Sequence, residues 1–94
     1  AYFFYFMQAM QQVAQELGFD EAQAKAMVAQ TALGAATMAN QSDLSFEALR
    51  AQVTSKGGTT HEAIETFKQH NLESMVKDAM YAAIRRAEEM AKTL

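Results

Sequence analysis

Apolar residues recur every three or four positions along most of the chain, which is the spacing of helices with one buried face. The pattern predicts a first helix from Tyr2 to Leu17, which Gly18 ends in a left-handed conformation. Asp20 is expected to cap a second helix, which runs to Asn40, and Gln23 completes its capping box. The apolar stripe of the first helix consists of Phe3, Phe6, Met7, Met10, Val13 and Leu17.

The second half of the chain has the same helical spacing. Ser45 is expected to cap a short helix, and Thr59 with Glu62 forms a second capping-box pattern at the start of a longer one. His70 and Asn71 break the pattern before the last helix. No alternating strand pattern occurs, so the sequence predicts an all-α helical bundle. The predicted helices span residues 2–17, 21–40, 46–53, 60–69 and 72–94.

Two segments of this bundle carry more apolar or small side chains than one small domain can use. Tyr2, Phe4 and Tyr5 lie on the other sides of the first helix, so its first turn is apolar all round and is expected to be covered by another chain or domain. The second helix is rich in alanine and has Gly34 in its middle, which allows close helix–helix approach at a cost of about 1 kcal/mol. We therefore expect the chain to pair with a copy of itself.

Composition excludes several other functions. The net charge of −3 argues against a nucleic-acid partner, and the absence of cysteine excludes disulfides and thiolate metal sites. The apolar run Tyr2 to Met7 is far shorter than the roughly 20 residues of a membrane span. His61 and Glu62 begin like a zinc-protease helix, but Glu65 stands where the second histidine is needed, so no metal site is predicted. We expect a cytoplasmic protein.

The segment Val53-Thr54-Ser55-Lys56-Gly57-Gly58-Thr59-Thr60 is the main candidate for chemistry. Two adjacent glycines allow left-handed turns, and the helix that follows directs free N–H groups and a positive dipole end into the loop. Such a site suits a carboxylate or a phosphate, although the Walker A spacing is missing. The alternative is that the glycines only turn the chain and Thr59 only caps the helix.

This loop closely resembles the pyrroline-5-carboxylate reductase motif, whose usual form is V-T-S-P-G-G-T-T. Similarity to that family covers essentially all 94 residues. It includes Ala1-Tyr2 with Phe4-Tyr5-Phe6-Met7, and Ala29-Gln30-Thr31 with Gly34-Ala35-Ala36. The resemblance implies an enzyme that reduces 1-pyrroline-5-carboxylate to L-proline with NADPH or NADH. Residues 1–94 would be its C-terminal helical domain, interlocked with a second subunit in a dimer or larger ring.

The resemblance also implies roles for individual residues. Ser55, Gly58 and Thr59 would bind the substrate carboxylate, mostly through backbone N–H groups. Thr60 would place its hydroxyl near the ring nitrogen as a hydrogen-bond partner and proton relay, and Gly57 would shape the loop. Lys56 departs from the family pattern, because it stands where proline is usual.

The resemblance also implies an N-terminal Rossmann domain that binds the nucleotide. No Gly-x-Gly-x-x-Gly unit, which such a domain needs, occurs in these residues. We therefore expect the isolated 94-residue chain to be inactive. A competing reading is a stand-alone helical module that dimerises without catalysing anything. A third reading is the helical domain of the hydroxyacid dehydrogenases. It is disfavoured, because the Gly-x-x-Gly, Lys and Asn residues typical of those enzymes are absent here.

Overall fold

A computed structural model describes residues 1–93, and over that range the chain forms five helices and no strand. They are α1 (Tyr2–Glu16), α2 (Glu21–Gln41), α3 (Phe46–Gln52), α4 (Thr59–Gln69) and α5 (Leu72–Thr93). The predicted all-α class and the order of the helices are confirmed. The predicted end of the last helix at Leu94 lies outside the described residues.

The chain divides into two compact units, Ala1–Leu49 and Arg50–Leu94. In the first unit α1 packs against α2, and the side chain of Gln11 donates from Nε2 to the carbonyl of Glu21 over 3.3 Å. Between the two helices Gly18 has φ +109°, as predicted. Its N–H donates to the Gln15 carbonyl at 3.0 Å, and the Phe19 N–H donates to the Ala14 carbonyl at 3.2 Å. These two bonds form a Schellman motif, which satisfies carbonyls left free at the end of α1.

The predicted cap of α2 is confirmed. The Gln23 N–H donates to Asp20 Oδ1 at 2.8 Å, and the Asp20 N–H donates to Gln23 Oε1 at 3.1 Å. Ser45 likewise caps α3, since its Oγ accepts from the Ala48 N–H at 3.1 Å. Both helices therefore begin where the sequence places a side-chain oxygen that can satisfy a free N–H group.

In the second unit α4 packs against α5. Asn71 lies between them with φ 58°, and its N–H donates to the Lys68 carbonyl at 3.0 Å. Asparagine tolerates this left-handed conformation better than most residues with a side chain. The predicted break at His70 and Asn71 is therefore a tight turn between two helices.

Very little of the apolar surface is covered within either unit. Of the residues the structure describes, only Ala24 and Val28 are buried, and both lie on α2. Phe3 is 82% exposed and Phe46 is 81% exposed. No helix in the described range is both long enough and apolar enough to cross a membrane. Each unit thus presents helix faces that have an apolar stripe and no cover of their own.

Candidate functional site

The loop after α3 is a β-turn from Ser55 to Gly58. The Gly58 N–H donates to the Ser55 carbonyl at 3.0 Å. Lys56, the second residue of the turn, is not among the residues with positive φ, and Gly57, the third, has φ +74°. This combination is typical of a type II turn. Glycine is favoured at the third position of such a turn, because a side chain there is strained. The structure therefore supports the shaping role expected of Gly57.

Gly58 has a different reason to be glycine. Its φ of −85° and ψ of −177° are open to any residue. A Cβ on Gly58, however, would lie 3.2 Å from the Cβ of Ser55 and 3.3 Å from the Ser55 carbonyl oxygen. The missing side chain therefore lets the two ends of the turn approach each other closely.

The predicted capping box of Thr59 and Glu62 is wrong. Helix α4 already begins at Thr59, its N-cap is Gly58, and no side chain caps it. The first helical bond runs from the Glu62 N–H to the Gly58 carbonyl at 3.2 Å. The extended conformation of Gly58 places the cap one residue earlier than predicted, and glycine has no side-chain oxygen to offer.

The consequence is a set of free donors at the start of α4. Within residues 1–93, the backbone N–H groups of Thr59, Thr60 and His61 have no hydrogen-bond partner in the protein. They occupy the first turn of a helix of 11 residues, where the helix dipole contributes partial positive charge. This arrangement is suited to binding an anion, and no side chain of the loop competes for the donors.

The hydroxyl groups of the loop divide into two kinds. Thr54 Oγ1 donates to the Arg50 carbonyl at 2.6 Å, so this hydroxyl completes the end of α3. In the described part of the chain, the hydroxyls of Ser55, Thr59 and Thr60 form no hydrogen bond with protein groups. They remain available to a ligand at the same turn.

The structure thus brings together the residues that the sequence indicated. Ser55 and Gly58 are in contact across the turn, and Thr59 and Thr60 follow in the first turn of α4. Ser55, Thr59 and Thr60 are exposed, so the loop is an open cradle in this unit. No group of three potential metal ligands occurs among residues 1–93.

One donor was missed by the sequence reasoning. From the sequence His61 was considered only as a candidate metal ligand, whereas its backbone N–H is the third free donor of the cradle. The sequence feature that could have revealed this donor is the position of His61, three residues after Gly58, the glycine that ends the turn. Because glycine cannot cap with a side chain, all the early N–H groups of the following helix stay free.

Comparisons with known proteins identify the family of the chain. A family model described as pyrroline-5-carboxylate reductase dimerisation matches residues 1–90. A Vibrio alginolyticus pyrroline-5-carboxylate reductase is 53% identical over 93 residues, which are 98% of this chain and 34% of that protein. A Pseudomonas aeruginosa pyrroline-5-carboxylate reductase is 44% identical over 94 residues, again 34% of its length.

A solved pyrroline-5-carboxylate reductase from Coxiella burnetii has the same fold. It matches with a TM-score of 0.89 and 42% sequence identity, over 94% of this chain and 33% of that one. The chain therefore spans about a third of the length of the relatives it matches. From the match over residues 1–90, the chain belongs to the pyrroline-5-carboxylate reductase dimerisation family.

Proposed function

We propose that residues 1–94 are the C-terminal dimerisation and substrate-loop domain of a cytoplasmic pyrroline-5-carboxylate reductase. The whole enzyme would reduce 1-pyrroline-5-carboxylate to L-proline and act as a homodimer or a larger ring of dimers. The observation that carries this proposal is the group of free N–H donors on Thr59, Thr60 and His61, directly after the Ser55–Gly58 turn. The family membership of the chain says which anion to expect there.

The substrate carboxylate would lie against the first turn of α4. Its oxygens accept hydrogen bonds from the free N–H groups and from the Ser55 hydroxyl, and the helix dipole adds to the attraction. The Gly58 N–H is already bonded to the Ser55 carbonyl, so Gly58 contributes mainly by leaving room for the ligand. The carboxylate keeps its charge throughout the reaction, so these contacts bind substrate and transition state about equally.

Thr60 would act at the ring nitrogen of the substrate. Reduction adds a hydride to the carbon of the C=N bond and moves the π electron pair of that bond to the nitrogen, which then takes up a proton. A threonine hydroxyl both donates and accepts hydrogen bonds, so Thr60 can hold this nitrogen and pass a proton to it from solvent. Its hydroxyl has no protein partner within residues 1–93 that would have to be displaced first.

The hydride would come from NADPH or NADH, which a Rossmann domain outside these residues would bind. Dinucleotide sites of that kind lie at the carboxyl ends of parallel strands. Residues 1–93 form only helices and turns, so they do not fit such a nucleotide. The expected tasks of these residues are therefore to hold the carboxylate, to hold the ring nitrogen and to join the subunits.

A full-length chimera tests this division of labour. Residues 1–94 replace the matching segment of the Vibrio alginolyticus relative, and Thr60→Ala is compared with Thr60→Ser. We expect Thr60→Ala to lower kcat by about 100-fold or more, since a positioned proton-transfer group typically contributes about 100- to 10,000-fold, and Thr60→Ser to restore most of it. Light scattering should show the same oligomer for all variants.

The matched control is Thr66→Ala. Thr66 lies farther along α4, and its hydroxyl donates to the Glu62 carbonyl at 2.9 Å, so its loss should leave the kinetics unchanged. Unchanged turnover in Thr60→Ala would instead favour the module that dimerises without catalysis. Oxidation of NADPH by the isolated 94-residue chain with substrate present would contradict the proposed placement of the nucleotide site.

A further inference from the structure

We propose that Lys56 is a substrate-binding residue, whose ammonium group draws the anionic substrate into the Ser55–Gly58 turn. This inference rests on the proposed function, because it assumes that the turn receives a carboxylate. Lys56 would add an electrostatic attraction to the hydrogen bonds that the free N–H groups and the hydroxyls of the loop offer. Its consequence is a dependence of substrate capture on ionic strength.

Lys56 is a free cation at the rim of the cradle. It occupies the second position of the type II turn and is exposed to solvent. The ion pairs among residues 1–93 are Lys68 with Glu65 and Arg86 with Glu89, so no carboxylate of the described chain neutralises Lys56. The full positive charge of its side chain therefore remains available to a ligand.

Lys56 lies in the same turn as the proposed carboxylate site. Lys56 lies two residues before Gly58, the N-cap of α4, so its flexible side chain and the free N–H groups belong to the same short turn. Charges interact over about 10 Å at 0.1 M salt. Glu62 in the first turn of α4 is the nearest opposing charge in the sequence, and Lys56 offsets its repulsion of a carboxylate.

The attraction should appear in KM and leave kcat unchanged. The carboxylate is not altered by the reaction, so Lys56 stabilises the bound substrate and the transition state equally. At a solvent-exposed site, an ion pair of this kind changes binding by a factor of about three to five at low salt. High salt should remove most of that factor, whereas the hydrogen bonds of the backbone donors persist.

The structure also supplies a substitution that removes the charge without disturbing the turn. Proline is favoured at the second position of a type II turn. The Lys56 N–H has no partner within the described residues, so Lys56→Pro sacrifices no hydrogen bond. Lys56→Met keeps the length of the side chain, and Lys56→Arg keeps its charge.

The test compares kcat and KM of the wild-type chimera with those of Lys56→Pro, Lys56→Met and Lys56→Arg, at about 20 mM and about 0.5 M NaCl. We expect Lys56→Pro and Lys56→Met to raise KM about three- to fivefold at low salt, with kcat unchanged. Lys56→Arg should resemble the wild type. All four proteins should converge at high salt.

Other outcomes would overturn the inference in distinguishable ways. Equal KM values and equal salt dependence in wild type and Lys56→Met would show that the charge has no role, while the reductase function stands. A loss in Lys56→Met that Lys56→Pro does not share would assign the effect to loop stiffness and contradict a role for charge. Absence of turnover in the wild-type chimera would overturn the proposed function and this inference with it.

Discussion

Gly57 is the residue on which the shape of the substrate turn depends. Its φ of +74° lies in the left-handed region, although the space around it is open. An L side chain costs about 1–2 kcal/mol in this conformation, so Gly57→Ala should lower the free energy of unfolding by that amount. Urea denaturation followed by circular dichroism measures it.

Two further substitutions control this experiment. Asparagine visits left-handed conformations more readily than alanine, so Gly57→Asn should lose less stability. Lys56→Ala changes the neighbouring residue of the turn, which has no positive φ, and should leave the stability nearly unchanged. Equal losses for Gly57→Ala and Lys56→Ala would mean that backbone strain is not the cause.

The sequence predicted which residues form the loop better than it predicted which atoms are free. Gly57, Gly58 and the hydroxyl residues were identified from their types and spacing. The cap at Thr59 was wrong because helix capping depends on backbone dihedral angles, and the extended conformation of Gly58 moved the start of the helix by one residue. The same shift left three N–H groups free, including that of His61.

Asp20 stabilises α2 through its capping hydrogen bonds, and a control substitution can separate this effect from the effect of its charge. The Asp20 carboxylate accepts from the Gln23 N–H, and the Gln23 side chain returns a bond to the Asp20 N–H. Removing an N-cap of this kind costs about 1 kcal/mol, which in a domain of this size is a fall of about 4–8 °C in Tm. Asp20→Ala should show this fall in a thermal melt.

Asp43→Ala is the matched control, because it removes the same charge from an exposed residue. Asp43 forms no hydrogen bond or ion pair with other residues of the described range. Its substitution should change Tm by less than about 2 °C, as is usual for surface changes. A similar fall for both variants would point to net charge, and the capping box would then not be the source.

Three helix ends were predictable from sequence, whereas the covering of helix faces was not. Gly18, Asp20 and Ser45 fixed three ends through local hydrogen bonds that depend only on neighbouring residues. The periodicity predicted that the apolar stripe of α1 needs cover, and Phe3 and Leu17 of that stripe are exposed in the folded chain. Periodicity identifies a face that needs cover and says nothing of which chain supplies it.

At the scale of the whole molecule, the single chain buries very little of its apolar surface. Neither unit buries a large side chain, since only Ala24 and Val28 of the described residues are buried. Gly34 weakens α2 by about 1 kcal/mol, and its missing Cβ would meet no atom within 4 Å. Both observations suit a fold completed by a second copy, in agreement with the dimerisation family to which the chain belongs.

The first turn of α1 provides a direct test of that completion. Phe3 is 82% exposed, and Phe4 and Tyr5 beside it are 75% and 78% exposed. If a second copy covers this turn, Phe3→Glu buries an unpaired carboxylate in the interface and should weaken the dimer at least tenfold. Light scattering over a micromolar dilution series should show a dimer for the wild type and a shift toward monomer for the variant.

Gln12→Glu is the matched control, because it adds the same charge to an exposed position on the polar face of α1 and should leave the mass unchanged. A monomeric wild type at micromolar concentration would contradict the proposed dimer, and a dimeric Phe3→Glu with unchanged affinity would place the interface elsewhere.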